Sequence, residues 1–136
     1  MNDLALRVLG AGHEVEGRLE GALGGIGLSV SKFNLLSRLA ESTEPLPLSQ
    51  LADRCSCVRS NITQLVDRLE AERLVERLPD PADRRSVRAA LTATGRERHA
   101  EAIRIVGETE REIFAPLGEE DRQALTRLLG RLGKPG

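Results

Sequence analysis

The residues best equipped for chemistry lie in the middle of the chain. Arg59, Ser60, Asn61, Thr63 and Gln64 carry guanidinium, hydroxyl and amide groups, the donors and acceptors that match base-pair edges in a duplex groove. Asn61 and Gln64 suit bidentate pairing with adenine, and Arg59 suits guanine or a phosphate. For each one singly, a phosphate contact or plain exposure is an equal reading. Farther along, Arg84 and Arg85 stand side by side. No paired carboxylates, Cys–His arrangement or phosphate-cradling glycine loop is recognisable, so the chain does not read as an enzyme.

Cys55 and Cys57 are the only cysteines, and a C-x-C pair without a second cluster is a poor zinc signature and no disulfide framework. Two readings stay open: small apolar residues beside a turn, or a redox pair. His13 and His99 are too few and too far apart for a metal site and read as surface or helix-packing residues. No cofactor or metal is expected.

The polar set needs a scaffold, and the apolar pattern supplies one. Ile62, Leu65, Val66 and Leu69 recur at helical spacing, so the polar set faces outward from an amphipathic helix. Small hydrogen-bonding side chains replace the Glu and Lys usual on a solvated face. A loop over Ser42–Pro47 leads to a short helix capped by Ser49 and carrying Leu51, Ala52 and Cys55. Two such helices joined by a tight turn are a helix-turn-helix. Leu74–Leu78 then reads as a strand. Val87–Leu91 reads as a second, with Val87, Ala89 and Leu91 on one side, and Pro79–Ser86 joins them with the two arginines near its tip.

Flanking segments read as helices. The first runs from Leu4, with Val8, Ala11, Val15, Leu19, Ala22 and Leu23 on one stripe, and is broken by Gly24, Gly25 and Gly27. Ser29 caps a second, holding Phe33, Leu35, Leu36 and Leu39 and stopping near Glu41. Thr92 caps a long helix with Ala100, Ile103, Val106, Ile113 and Phe114, ending near Pro116. Glu119, Glu120 and Asp121 suit the positive end of a last helix, whose Leu125, Leu128, Leu129 and Leu132 stripe suits burial in a partner subunit. The fold class is mainly α with a small two-stranded β wing, a winged helix-turn-helix plus a helical dimerisation region.

A length of 136 residues fits one domain. With 40% apolar and 30% charged residues, the chain builds a core and is neither disordered nor fibrous. Phe33 and Phe114 are the only aromatic residues, which disfavours single-stranded nucleic-acid platforms that stack bases on rings. Twenty basic residues against 21 acidic ones give no bulk attraction to a polyanion, so any DNA binding must be local. Met1–Gly12 shows neither a signal peptide nor a membrane span, and the cytoplasm is the default compartment.

Leu28-Ser29-Val30-Ser31-Lys32-Phe33, Leu51-Ala52-Asp53-Arg54 and Leu65-Val66-Asp67-Arg68-Leu69-Glu70 resemble the MarR family of bacterial transcription regulators. Most specific is Leu74-Val75-Glu76-Arg77 leading through Asp80-Pro81-Ala82-Asp83-Arg84-Arg85-Ser86 to Leu91-Thr92-Ala93-Thr94-Gly95. The likeness runs from about Leu28 to Leu132. It implies a single domain over 1–136, with a winged helix-turn-helix over 28–92 and a dimerisation region over 1–27 and 93–136. It also implies a recognition helix in the major groove, Arg85 in the minor groove where negative potential concentrates, and Asp83 holding Arg85 in place. Arg77, Arg84 and Arg88 are then phosphate candidates. Three positions depart from the pattern: Ser56 and Arg73 where glycine is usual, and Val58 where a hydroxyl cap worth about 1 kcal/mol is common. The register of base contacts is thereby left open.

The expected protein is a cytoplasmic homodimeric repressor on a pseudopalindromic duplex, its recognition helices roughly 34 Å apart and its binding weakened by salt. A small-molecule effector would release it from a cleft between the dimer helices and the winged helix. Without Tyr or Trp that cleft is expected to be aliphatic, with an arginine. Two alternatives stand beside this reading: a Cys55–Cys57 redox-sensing regulator of the same fold, and a protein-interaction adaptor that does not bind DNA.

Overall fold

The computed structural model describes residues 3–55 and 59–132. Their order is α1 (Leu4–Gly24), α2 (Val30–Glu41), β1 (Leu46–Pro47), α3 (Leu48–Arg54), α4 (Arg59–Ala71), β2 (Val75–Pro79), β3 (Val87–Leu91), α5 (Ala93–Ile113) and α6 (Glu119–Arg131). Among these residues no helix is long and apolar enough to cross a membrane.

The helix ends are written in local chemistry. Ser29 caps α2 by accepting from the Lys32 amide at 3.1 Å, and Glu20 of α1 accepts from the Val30 amide at 2.7 Å. Two of the donors orphaned at a helix start are thereby satisfied. α1 and α4 finish with one motif. In α1 the Leu28 amide reaches the Leu23 carbonyl at 3.0 Å and Gly27, at φ 75°, makes the turn. In α4 the Leu74 amide reaches the Leu69 carbonyl at 2.9 Å, and the turn is made by Arg73 at φ 64°. The departure at Arg73 therefore keeps the glycine's backbone and carries the steric cost of a Cβ in the left-handed region.

The sheet corrects two expectations. It has three strands in the order β1-β3-β2, all antiparallel, because Leu46 and Pro47 pair with Ala89 and Arg88. This end of the expected Ser42–Pro47 loop is an edge strand, where a proline is tolerated. Consequently α3 begins at Leu48, directly after Pro47, and Ser49 lies inside it rather than capping it. β2 starts at Val75, since the Leu74 amide closes the α4 turn and its carbonyl accepts from the Thr92 amide at 3.1 Å. In β3, Ala89 and Leu91 are buried while Val87, near the wing, is exposed.

Thr92 and Gly95 lock the wing to α5. The Thr92 hydroxyl donates to the Arg73 carbonyl at 2.7 Å and accepts from the Gly95 amide at 2.9 Å. A Cβ on Gly95 would sit 1.9 Å from the Leu74 carbonyl oxygen, so only glycine permits this approach.

The core is aliphatic and lies between Leu23 and Ala102, with Leu35, Leu36, Leu51, Ile62, Val66, Leu69, Leu74 and Val75 fully buried. It joins α2, α3, α4 and the sheet. α5 lays its Gly95, His99, Ala102 and Thr109 face against this unit, leaving Ile103 outside. α1 packs along α5 but buries Leu23 alone, and α6 buries nothing.

Candidate nucleic-acid interface

The buried face of α4 is Ile62, Val66 and Leu69, which presents its remaining residues as two outer stripes. Asn61, Gln64 and Arg68 form one, and Thr63, Asp67 and Glu70 the other. All six are exposed. Arg59 and Ser60 open the helix, and the base-reading role expected of their side chains lies outside what is described. So do Cys57 and the departures at Ser56 and Val58.

The second stripe is acidic and is held by the wing. Arg77 of β2 donates to Asp67 at 2.5 Å and to Glu70 at 2.7 Å, and approaches the Thr63 carbonyl at 3.4 Å. Burial works against this cation, yet the two carboxylates outweigh it and raise its pKa above the ordinary arginine value. Arg77 was expected on a phosphate. In this structure, which holds no DNA, its guanidinium fastens the recognition helix to the sheet. Sequence reasoning missed both partners, although their i, i+3 spacing places them on one face.

The wing loop is shaped by two aspartates. Asp80 accepts from the Ala82 amide at 2.9 Å and pairs with Arg88 at 3.2 Å. The amide bond first, then Arg88 and Ser86, holds its carboxyl below the usual range. Arg88, also expected on a phosphate, thus braces the base of the wing. Asp83 accepts from the Arg85 amide at 2.9 Å. It fixes the Arg85 backbone, not its guanidinium, in the turn chemistry short aspartates favour. Arg84 and Arg85 are exposed, and among the described residues their side chains have no ion-pair partner. Arg85, Thr63, Ser49 and Ser86 line one cleft of about 360 Å³ between α4 and the wing.

Elsewhere, Cys55 is half-buried against the core, His13 is exposed on α1, and His99 stacks on Phe33 with its Nε2 3.0 Å from the Ser37 hydroxyl. Between α1, the start of α2, Phe114 at the end of α5 and α6 lies an apolar cleft of about 430 Å³, lined by Val8, Val15, Leu19, Val30, Phe114, Leu125 and Leu129, among others. Among the described residues that line it there is no arginine. Among the described residues its charged lining side chain is Glu16.

Comparison with known proteins places this geometry. Residues 28–87 match the model of the MarR family. The regulator PecS of Dickeya dadantii is 34% identical over 109 residues, covering 79% of this chain and 66% of that protein. The homoprotocatechuate degradative operon repressor of Escherichia coli is 31% identical over 102 residues, covering 75% of this chain and 68% of that protein. The chain belongs to the MarR family. Among solved structures, the transcriptional repressor CouR bound to a 23-mer DNA duplex superposes with a TM-score of 0.91 at 26% identity, covering 96% of this chain and 92% of that one. As a MarR-family chain, this one spans about two thirds of the length of the curated relatives it matches.

Proposed function

We propose that the chain is a cytoplasmic transcription regulator that binds a pseudopalindromic duplex as a homodimer and represses from it. The observation that carries this reading is that α4 exposes Asn61 and Gln64 while the wing exposes Arg84 and Arg85, with Arg85 lining a cleft against Thr63 of α4 and neither arginine in an ion pair among the described residues. Amides at a helix face read bases, and guanidiniums at a loop tip meet phosphates or a narrow minor groove. Because Arg77 and Arg88 brace the scaffold, the wing-side contacts rest on Arg84 and Arg85. The names of the repressor relatives support the sign of regulation.

Residues 28–92 form the DNA-binding region, and 1–27 with 93–136 the dimerisation region. The exposed Leu4, Leu6, Val8 and Leu9 of α1 and Leu128, Leu129 and Leu132 toward the C-terminus form apolar faces that a second copy would cover. An effector would act from the apolar cleft beside Phe114 by favouring a helix spacing unsuited to two successive grooves.

Selection of bound duplexes from a random pool at moderate salt tests the reading. An inverted repeat with half-sites about one helical turn apart is expected, and Arg85→Ala should weaken the selected duplex about tenfold. Absence of enrichment would reject it.

A further inference from the structure

Two separate links meet in the first turn of α2. On one side, the Glu20 carboxylate of α1 accepts from the Val30 amide at 2.7 Å. On the other, the largely buried Lys32 ammonium sits 2.6 Å from the carboxylate of Glu72, the residue that follows the end of α4. The same turn lies along the recognition helix, since Ser29, Ser31 and Lys32 share a cleft of about 300 Å³ with Asn61, Gln64 and Arg68.

This turn does not need α1 for its local cap. Ser29 already accepts from the Lys32 amide at 3.1 Å, and the Ser31 amide has no partner among the described residues, as is normal for the orphan donors of a helix start. A carboxylate reaching over from another helix adds something else, which is direction. Leu23 and Leu28 are buried where α1 meets α2, and apolar burial holds two elements together without fixing their angle. A short hydrogen bond to a charged acceptor weakens steeply when bent. It therefore resists rotation about the apolar pivot. Among the described residues the other side-chain bond from α1 to another helix joins Arg18 to Glu112 of α5, at 3.3 Å and exposed, and it acts on α5 rather than on α2.

Given the homodimer reading above, on which this rests, we propose that Glu20 is a positioning residue that sets the angle between the dimer helices and the recognition helix, and so the half-site separation that the protein accepts. Glu20 holds the first turn of α2 to α1, and that turn holds α4 through Lys32 and Glu72.

A positioning role shows in a ratio. The full-length chain is measured at one salt concentration against three duplexes of equal length: the selected inverted repeat, and the same half-sites one base pair closer and one base pair farther. The duplexes carry the same number of phosphates, so a change in the charge of the protein cancels in the ratio. One base pair shifts a half-site by about 3.4 Å and turns it by about a tenth of a turn, and wild type should favour one spacing strongly. Glu20→Ala should reduce that preference about tenfold, while affinity for a duplex with a single half-site stays as in wild type. Glu20→Gln keeps an acceptor oxygen and should retain most of the preference, and Glu72→Ala should reduce it in the same direction as Glu20→Ala.

Amide hydrogen exchange on the wild type needs no variant: the Val30 amide should be protected and the neighbouring Ser31 amide should not. A spacing preference in Glu20→Ala equal to that of wild type, or equal exchange at Val30 and Ser31, would overturn the proposal. If wild type discriminates among the duplexes and Glu20→Ala discriminates equally, the homodimer reading survives without it. A wild type that binds all three duplexes alike removes both.

Discussion

The middle of the molecule and its two ends are built on different terms. From α2 to the start of α5 the leucines, valines and Ile62 close on one another. α1 is a 21-residue helix that buries one side chain, and α6 is a 13-residue helix that buries none. Neither end lacks apolar residues. They face outward, which means that the winged-helix unit satisfies itself whereas the terminal helices depend on something else to cover them. The contrast also assigns duties: a self-sufficient unit holds the α4 stripes and the wing rigid, while the ends set how two such units would be spaced.

Truncating one leucine in each region tests this most severely. Leu36 is 0% exposed, and Leu36→Ala should cost about 2–5 kcal/mol in urea unfolding, whatever the protein concentration. Leu9 is 68% exposed, and Leu9→Ala should change stability by less than about 0.5 kcal/mol at concentrations where the chain is monomeric. A large loss at Leu9 under those conditions would erase the distinction. Next in size is the double change Leu128→Asp with Leu129→Asp. It should leave the far-ultraviolet circular dichroism of the winged-helix unit in place but shift sedimentation at micromolar protein from dimer to monomer, weakening operator binding with it.

The same contrast explains what could be read from the sequence. Helical periodicity, Ser29 and Thr92 as caps, and the acidic start of α6 gave the elements nearly as they occur, because these signals are local. The wing motif gave the position of Arg84 and Arg85. What escaped was everything set by distant chain segments. β1 exists because Leu46 and Pro47 lie against β3, which no local pattern announces. The sequence marks Arg77 and Arg88 as phosphate candidates but does not show that Asp67, Glu70 and Asp80 lie beside them. His99 is buried while the more apolar Ile103 faces out, because α5 is positioned by contacts at Gly95 and Ala102 that rotate Ile103 away from the core.

A gain of stability sharpens the picture of the middle unit. Arg73 occupies the turn position that glycine occupies at Gly27, with the same hydrogen bonds around it. Arg73→Gly removes the Cβ from a left-handed backbone and should raise stability by about 1 kcal/mol. That is smaller than the full steric cost, because glycine also gains freedom in the unfolded chain. The Arg73 side chain supplies none of the contacts that tie α4 to Arg77, so duplex affinity should not change. A melting temperature at or below that of wild type would show that the side chain, and not the turn, is what the position needs.

The smallest effect lies at the seam between the two regions. His99 of α5 is 9% exposed, with its ring on Phe33 and its Nε2 against the Ser37 hydroxyl of α2. Burial lowers its pKa from the ordinary 6.5, although the negative charge of Glu41 pulls the other way. The folded state thus prefers the neutral ring. Above pH 6.5 folded and unfolded chains both carry it neutral, and stability is complete. As pH falls below 6.5 the unfolded chain takes up a proton that the folded chain resists, so stability drops until the folded pKa is passed, with a slope of at most about 1.4 kcal/mol per pH unit for one proton. His99→Gln keeps a hydrogen-bonding side chain at the seam without titrating. Chemical denaturation between pH 7.5 and 5 should therefore show a fall in the wild type that the variant lacks, against a common background from the carboxylates. Parallel curves for the two proteins would mean that the α2–α5 seam opens enough for water to reach His99, and that the middle unit is less closed on this side than its packing indicates.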